Sequence, residues 1–236
     1  MKFAVGLMKF VVGLVCVSAL ALCFTFGVAA QDERAAASTP LKPSQIFQHA
    51  AAIKSKAMPE PEAFEFELNG FSYHISSNGN GRRMKDDKKR RFNLWLDGRD
   101  FITSIYFSEY EGDLLLICEV SDVESGAGFV TRLGQPSMRA RWKQHVPGFN
   151  VGEPLREGRN LYVTGIGFVG KLDLETGEYV WKHENLYGRG RKDAFNSFAV
   201  PELKGEEVLF KEPSVYNGGG LTIFVNRKSG KLIRIE

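Results

Sequence analysis

A set of aromatic and apolar positions recurs along this chain, and its interval restricts the fold more than any other feature. Phe101, Phe149 and Phe195 lie 48 and 46 residues apart, and apolar runs begin 13, 12 and 13 residues after them, near Leu114, Leu161 and Val208. Gly128-Phe129-Val130 answers Gly167-Phe168-Val169, and Phe149-Asn150 answers Phe195-Asn196. Trp95, Trp142 and Trp181 close successive units, with Ile233 in the last equivalent place. Units of about 40 to 50 residues built from short strands are the mark of stacked small sheets. A sheet of that size cannot bury both of its faces alone, so neighbours share their apolar faces. The sequence therefore predicts an all-β fold, a small β-propeller-like array of about four four-stranded repeats, the first incomplete, preceded by a short α-helix. The three tryptophans are expected to pack between repeats, where a large ring buries on the order of 200 Å².

The clearest unit runs from Leu161 to Trp181. Leu161–Thr164 and Phe168–Leu174 read as strands, Glu175-Thr176-Gly177 as a tight turn, and Tyr179-Val180-Trp181 as the antiparallel return. Leu172, Asp173, Thr176, Gly177 and Trp181 together resemble the PQQ-like (quinoprotein-like) β-propeller repeat. Enzymes of that family use a larger ring, a calcium-bound quinone and often a vicinal disulfide. This chain is too short for that ring and lacks the second mature cysteine, so the resemblance implies a non-catalytic member that presents loops to partners. No cofactor, metal or catalytic residue is assigned.

Lys2 and Lys9 precede the uncharged run Phe10–Ala30, which ends in Val28-Ala29-Ala30. This is the pattern of a secretory signal peptide over residues 1–30, with cleavage expected near Ala30/Gln31 and a secreted or periplasmic product. An uncleaved membrane anchor is the alternative. Cleavage removes two lysines and no acid, which leaves 29 basic against 28 acidic residues. A general nucleic-acid role then has no support from charge. Cys16 and Cys23 leave with the signal, and Cys118, in the apolar run Leu114–Cys118, is expected as a buried core residue. Residues 31–62 read as a linker and a short helix, Ser44 to about Met58, with Ile46, Ala50, Ile53 and Ala57 on one face. Residues 63–236 read as the repeat domain. Asn69-Gly70 marks a hairpin between Phe64–Leu68 and Phe71–Ile75, and Phe92–Leu96 is a third strand reached through a long polar loop.

Two basic clusters are the candidate binding features. Arg82, Arg83, Lys85, Lys88, Lys89, Arg90 and Arg91 surround Asp86-Asp87, and Arg189, Arg191 and Lys192 form the second. Both read either as solvated loops or as anion-binding loops, emerging on opposite ends of the sheets. No aromatic side chain is interleaved with them, which argues against single-stranded nucleic acid. Gly165-x-Gly167-x-x-Gly170 precedes no helix, so it is not a dinucleotide fingerprint. His49, His74, His145 and His183 show no metal-ligand spacing. The reading is an exported binding or scaffold module for a protein or an envelope polymer. Its rivals are a carbohydrate-acting hydrolase with carboxylates at the propeller centre, and a membrane-surface adaptor held by an uncleaved N-terminus.

Overall fold

Backbone polar groups must be paired, and in this chain they are paired almost wholly between neighbours in sequence. The computed structural model describes residues 47–54, 60–97, 100–122, 125–186, 197–213 and 220–236. The expected signal segment and linker therefore lie outside the described residues, as do Arg189, Arg191 and Lys192. Among the described residues eighteen strands occur and no helix is found. They are β1 (Gln48–His49), β2 (Ala51–Lys54), β3 (Pro61–Leu68), β4 (Phe71–Ser76), β5 (Asn80–Lys85), β6 (Lys88–Asn93), β7 (Phe101–Tyr110), β8 (Asp113–Ser121) and β9 (Gly126–Gly134). They continue as β10 (Arg139–Val146), β11 (Leu155–Glu157), β12 (Asn160–Gly165), β13 (Phe168–Asp173), β14 (Tyr179–His183), β15 (Glu202–Lys204), β16 (Glu207–Lys211), β17 (Thr222–Asn226) and β18 (Leu232–Ile235).

These strands form four antiparallel sheets. The first sheet has the order β2-β3-β4-β5-β6 and the second β1-β7-β8-β9-β10. The third is β11-β12-β13-β14 and the fourth β15-β16-β17-β18. Each four-stranded core is an up-and-down meander, and the sheets stack in series with apolar faces shared between neighbours. Phe64, Phe66, Tyr73 and Ile75 of the first sheet pack with Ile105, Phe107, Leu114 and Leu116 of the second. Leu115, Ile117 and Val130 of the second pack with Leu161, Val163 and Phe168 of the third. Tyr162, Val169 and Trp181 of the third pack with Val208, Phe210 and Ile223 of the fourth. This is an all-β, propeller-like array of four repeats.

Two expectations are corrected here. The first repeat is complete, because the basic stretch forms β5 and β6, six residues each, joined at Asp86-Asp87. The sequence shows no alternation there because both faces of this hairpin carry cations. The segment expected as a helix is extended wherever it is described. Gln48–His49 pairs with Tyr106–Phe107 of β7, and Ala51–Lys54 pairs with β3. A short isolated helix is marginal, whereas the free edges of β3 and β7 need backbone partners. Ala50, between the two pairings, is buried and donates its N–H to Ile105 O at 2.9 Å.

The register makes the repeat concrete. Arg132 faces Trp142 across β9–β10, Lys171 faces Trp181 across β13–β14, and Phe224 faces Arg234 across β17–β18. A one-residue bulge precedes each of these last-strand positions, so the fourth counterpart of the tryptophans is Arg234 rather than Ile233. In the first sheet the same row pairs Arg83 with Arg90. Trp95, expected to close that sheet, lies beyond β6, is 59% exposed and has φ of 48°. Phe149 is likewise exposed in the link before β11 and does not answer Phe101 at the start of β7.

Trp142, half-buried, and Trp181, buried, each press on the third turn of the following sheet. Trp142 packs against Gly177 and donates Nε1–H to Leu174 O at 3.1 Å. Trp181 packs against Gly230 and donates to Arg227 O at 3.3 Å. Gly177 and Gly230 have φ of 75° and 71°, and a Cβ at either would lie within 2.5 Å of a tryptophan atom. Only glycine meets both demands. Gly158 has φ of 58° but nothing within 4 Å of a built Cβ. Gly158→Ala should therefore cost about 1 kcal/mol, the left-handed backbone penalty alone. Gly177→Ala should cost about 3 kcal/mol, because the indole must also move. Urea denaturation of the two variants compares them directly.

Candidate functional site

In the first three sheets the third-strand cation reaches the same turn of the next sheet. Arg132 Nη1 donates to Leu174 O at 3.1 Å, Lys171 Nζ to Arg227 O at 2.9 Å, and Arg83 Nη2 to Pro136 O at 3.3 Å. These three positions share one register but differ in how their charge is balanced.

Arg132 is fully answered. Its Nε lies 2.7 Å from Asp113 Oδ2, and Glu111 and Glu175 stand at 3.2 and 3.4 Å. Asp113 also takes Arg141 at 2.5 Å and the Gln135 amide at 3.1 Å. Burial alone would raise the Asp113 carboxyl, but hydrogen bonds from Arg141, Gln135 N–H and Arg132 outweigh it and hold it below the ordinary aspartate range. Tyr110 donates to Glu175 at 2.7 Å, and burial, then that carboxylate, push its hydroxyl up to about 12. Carboxylates do converge here, but Asp113 is spent on two arginines and Glu175 on Arg132 and Tyr110. The arrangement fastens the second sheet to the third.

Arg83 is not answered. Among the described residues it has no ion pair and its buried Nη1 has no hydrogen-bond partner, and its guanidinium lies 4.4 Å over the Phe71 ring. It belongs to the β5–β6 hairpin, which brings together all seven residues of the first basic cluster. Arg82 stands directly opposite Arg91, Arg83 opposite Arg90, and Lys85 opposite Lys88. Like charges in that position destabilise a strand pair. Among the described residues none of the seven makes an ion pair, and Lys88, Lys89, Arg90 and Arg91 are all exposed. Alternation sends Arg83, Lys85, Lys88 and Arg90 to the face turned towards the second sheet. Arg82, Lys89 and Arg91 lie on the other face, beside His74, which is 2.9 Å from Glu65.

Two clefts flank the first interface. One, of about 260 Å³, lies at the hairpin end and is lined by Phe71, Tyr73, Arg83, Glu109, Asp113 and Gln135 among others. Gln135 Nε2 donates to Tyr73 OH at 2.9 Å. The other, of about 390 Å³, lies at the opposite strand ends, with Asp97, Asp100, Asp122, Lys143 and His145 on its walls. There Lys143 donates to Leu94 O and Trp95 O at 3.0 and 2.7 Å, tying the loop after β6 to the second sheet.

The remaining sequence candidates are structural in their surroundings. Asp173, Thr176 and Gly177 make the turn beneath Trp142. Glu175 N–H donates to Asp173 Oδ1 at 2.8 Å, and Glu178 N–H to Thr176 Oγ1 at 3.2 Å. Asn226-Arg227-Lys228-Ser229-Gly230 repeats this geometry beneath Trp181. That second copy was legible as Asx-x-x-Ser/Thr-Gly but escaped the sequence reading. Cys118 is fully buried, and burial pushes its thiol up. His183 Nε2 lies 2.7 Å from Gly230 O, whereas His145 lines the larger cleft. No group of three or more metal-ligating side chains occurs among the described residues, and Gly165 and Gly167 lie at a hairpin turn, not before a helix.

No protein-family model matches the chain, and no curated protein matches it. Among solved structures, apo AztD from Citrobacter koseri is similar over 81% of this chain and 57% of its own, with 10% identity and a TM-score of 0.43. BamB from Moraxella catarrhalis is similar over 80% of this chain and 64% of its own, with 13% identity and a TM-score of 0.33. The WD40 β-propeller domain of Doa1 is similar over 80% and 86%, with 9% identity and a TM-score of 0.31. The chain thus spans less than two thirds of the first two.

The Asp113–Arg132 pair has a definite pH signature. A carboxyl held below its unfolded value stabilises the fold above the ordinary aspartate range, and that contribution is lost as pH falls through the lowered value. Asp113→Asn should cost about 3 kcal/mol at neutral pH, since it removes the buried carboxylate that Arg132 and Arg141 share. It should also flatten the acid limb of a stability profile recorded by thermal melting between pH 2 and 7.

Proposed function

We propose that this chain is a non-catalytic binding module whose contact surface is the β5–β6 hairpin and whose partner is an anionic polymer of the cell envelope. The observation that carries the reading is the gathering of seven basic side chains on one hairpin, six of them in three like-charge pairs, with no acidic partner among the described residues. Such a pairing costs stability in the free protein, and a polyanion lying along the strands would offset that cost. An exposed last strand rich in lysine also discourages edge-to-edge association, which suits a surface that stays open for a ligand. The turn Leu172-Asp173-x-x-Thr176-Gly177 with Trp181, and its second copy at Asn226–Gly230, support assigning the array to the PQQ-like repeat class. Export rests on Lys2, Lys9 and the apolar run Phe10–Ala30.

Retention on an immobilised sulfated polysaccharide, followed across a salt gradient, tests the binding surface. The full chain should bind at low salt and elute as screening shortens the Debye length. The triple variant Lys88→Glu, Lys89→Glu, Arg91→Glu should elute at far lower salt. A control triple at exposed lysines of the fourth repeat, Lys204→Glu, Lys228→Glu, Lys231→Glu, should elute much nearer the parent position. Equal loss in both variants would reduce the effect to net charge and overturn the assignment. N-terminal sequencing of exported protein should read Gln31 first.

A further inference from the structure

Comparison of equivalent positions within the array locates a site for one chemical group. Arg132 and Lys171 occupy the same row as Arg83 and contact the same turn of the following sheet. Arg132 has three carboxylates, and Lys171 closes on a backbone carbonyl. Among the described residues Arg83 has one carbonyl at 3.3 Å, no carboxylate in an ion pair, and a buried Nη1 with no hydrogen-bond partner. It lines the 260 Å³ cleft between the first and second sheets. A buried guanidinium nitrogen left without an acceptor is costly, and its planar fork matches a carboxylate.

The other walls narrow the ligand further. Tyr73 accepts from Gln135, and its own hydroxyl proton has no acceptor among the described residues. Burial pushes that hydroxyl above the ordinary phenol range, so it stays a donor at neutral pH. Asp113 is neutralised by two arginines. Glu109 binds Asn69 Nδ2 and the Gly112 N–H and keeps lone pairs for further donors. Phe71 and Leu68 add an apolar flank. These walls offer a fork for one anionic group and acceptors for neutral hydroxyls. The Glu109 carboxylate disfavours a doubly charged group such as a phosphate monoester. The volume admits one small residue rather than a long ligand.

We propose that this cleft holds one uronic-acid residue of an acidic polysaccharide, its carboxylate on Arg83 and Tyr73 and its hydroxyls towards Glu109 and Gln135. The assignment rests on the anionic-polymer reading above and adds the sugar acid as the recognised unit. The rest of the polymer runs along Lys85, Lys88 and Arg90, on the same face of the hairpin.

The test is calorimetric titration of the full chain with a galacturonate oligomer, a neutral galactose oligomer and inorganic polyphosphate. Saturable galacturonate binding is expected, with the neutral oligomer at least tenfold weaker. Arg83→Lys keeps the charge but loses the fork, and should weaken galacturonate binding roughly tenfold. It should leave retention on the sulfated matrix almost unchanged. Tyr73→Phe, which removes only the hydroxyl, should weaken it as well and serves if Arg83→Lys fails to fold. The cleft assignment is overturned if both variants bind galacturonate as tightly as the parent, or if the neutral oligomer or polyphosphate binds better. Retention on the sulfated matrix without galacturonate binding overturns the cleft and leaves the hairpin reading standing. Loss of both overturns both.

Discussion

The array depends on the capture of one turn by the sheet before it. At the second and third repeats, an indole and a cation from adjacent strands converge on a single carbonyl, Leu174 O or Arg227 O. The indole also rests on a glycine whose φ only that residue adopts freely. A buried carbonyl satisfied twice and capped by a large ring fixes both the distance and the rotation between two sheets. Small sheets with one shared face need such a device, since apolar packing alone tolerates sliding. The Asp113 carboxylate then neutralises Arg132, so the cation is held from its own sheet as well as from the next.

The two ends of the array depart from this pattern in complementary ways. In the fourth sheet the cation and the aromatic exchange strands, with Phe224 in the third and Arg234 in the fourth. Arg234 lies 3.5 Å over the Phe224 ring and pairs with Glu207 and Glu236, all within that sheet. A residue that would reach outward is thus folded back. In the first sheet the face turned away from the second carries Glu65, Glu67, Ser72, His74 and Arg82, a polar row suited to solvent. Terminal units with polar outer faces are what a stack of repeats needs to stay soluble. Among the described residues the shared apolar clusters number three, and none joins the fourth sheet to the first.

Where the repeat has strong apolar periodicity, its register was legible from residues alone. Leu114, Leu161 and Val208 fall in one row, Phe129 and Phe168 in another, and Trp142 and Trp181 in a third. The Asn69-Gly70 hairpin was legible too, because two residues at positive φ demand that chemistry. The first repeat was misread at its outer half. Strands β5 and β6 lack apolar alternation, since cations replace it on both faces, so the sequence points to Trp95 for the closing position that Arg90 occupies. The segment from Gln48 to Lys54 was misread for a different reason. Its alanines fit a helix locally, and only the long-range demand of two open sheet edges makes it extended.

The misreading and the proposed binding surface have one origin. A sheet stacked only for stability would place tryptophan, or a cation with its carboxylate, in the row of Arg83 and Arg90, as the second sheet does. The first sheet instead sets guanidinium against guanidinium and leaves a buried nitrogen without an acceptor. That choice weakens both the hairpin and the lock on the following turn, where Arg83 reaches Pro136 O at 3.3 Å with no indole beside it. Local rules broken without compensation inside the chain point to compensation from outside. The missing group is an acceptor, and its proposed seat is the cleft that Arg83 lines.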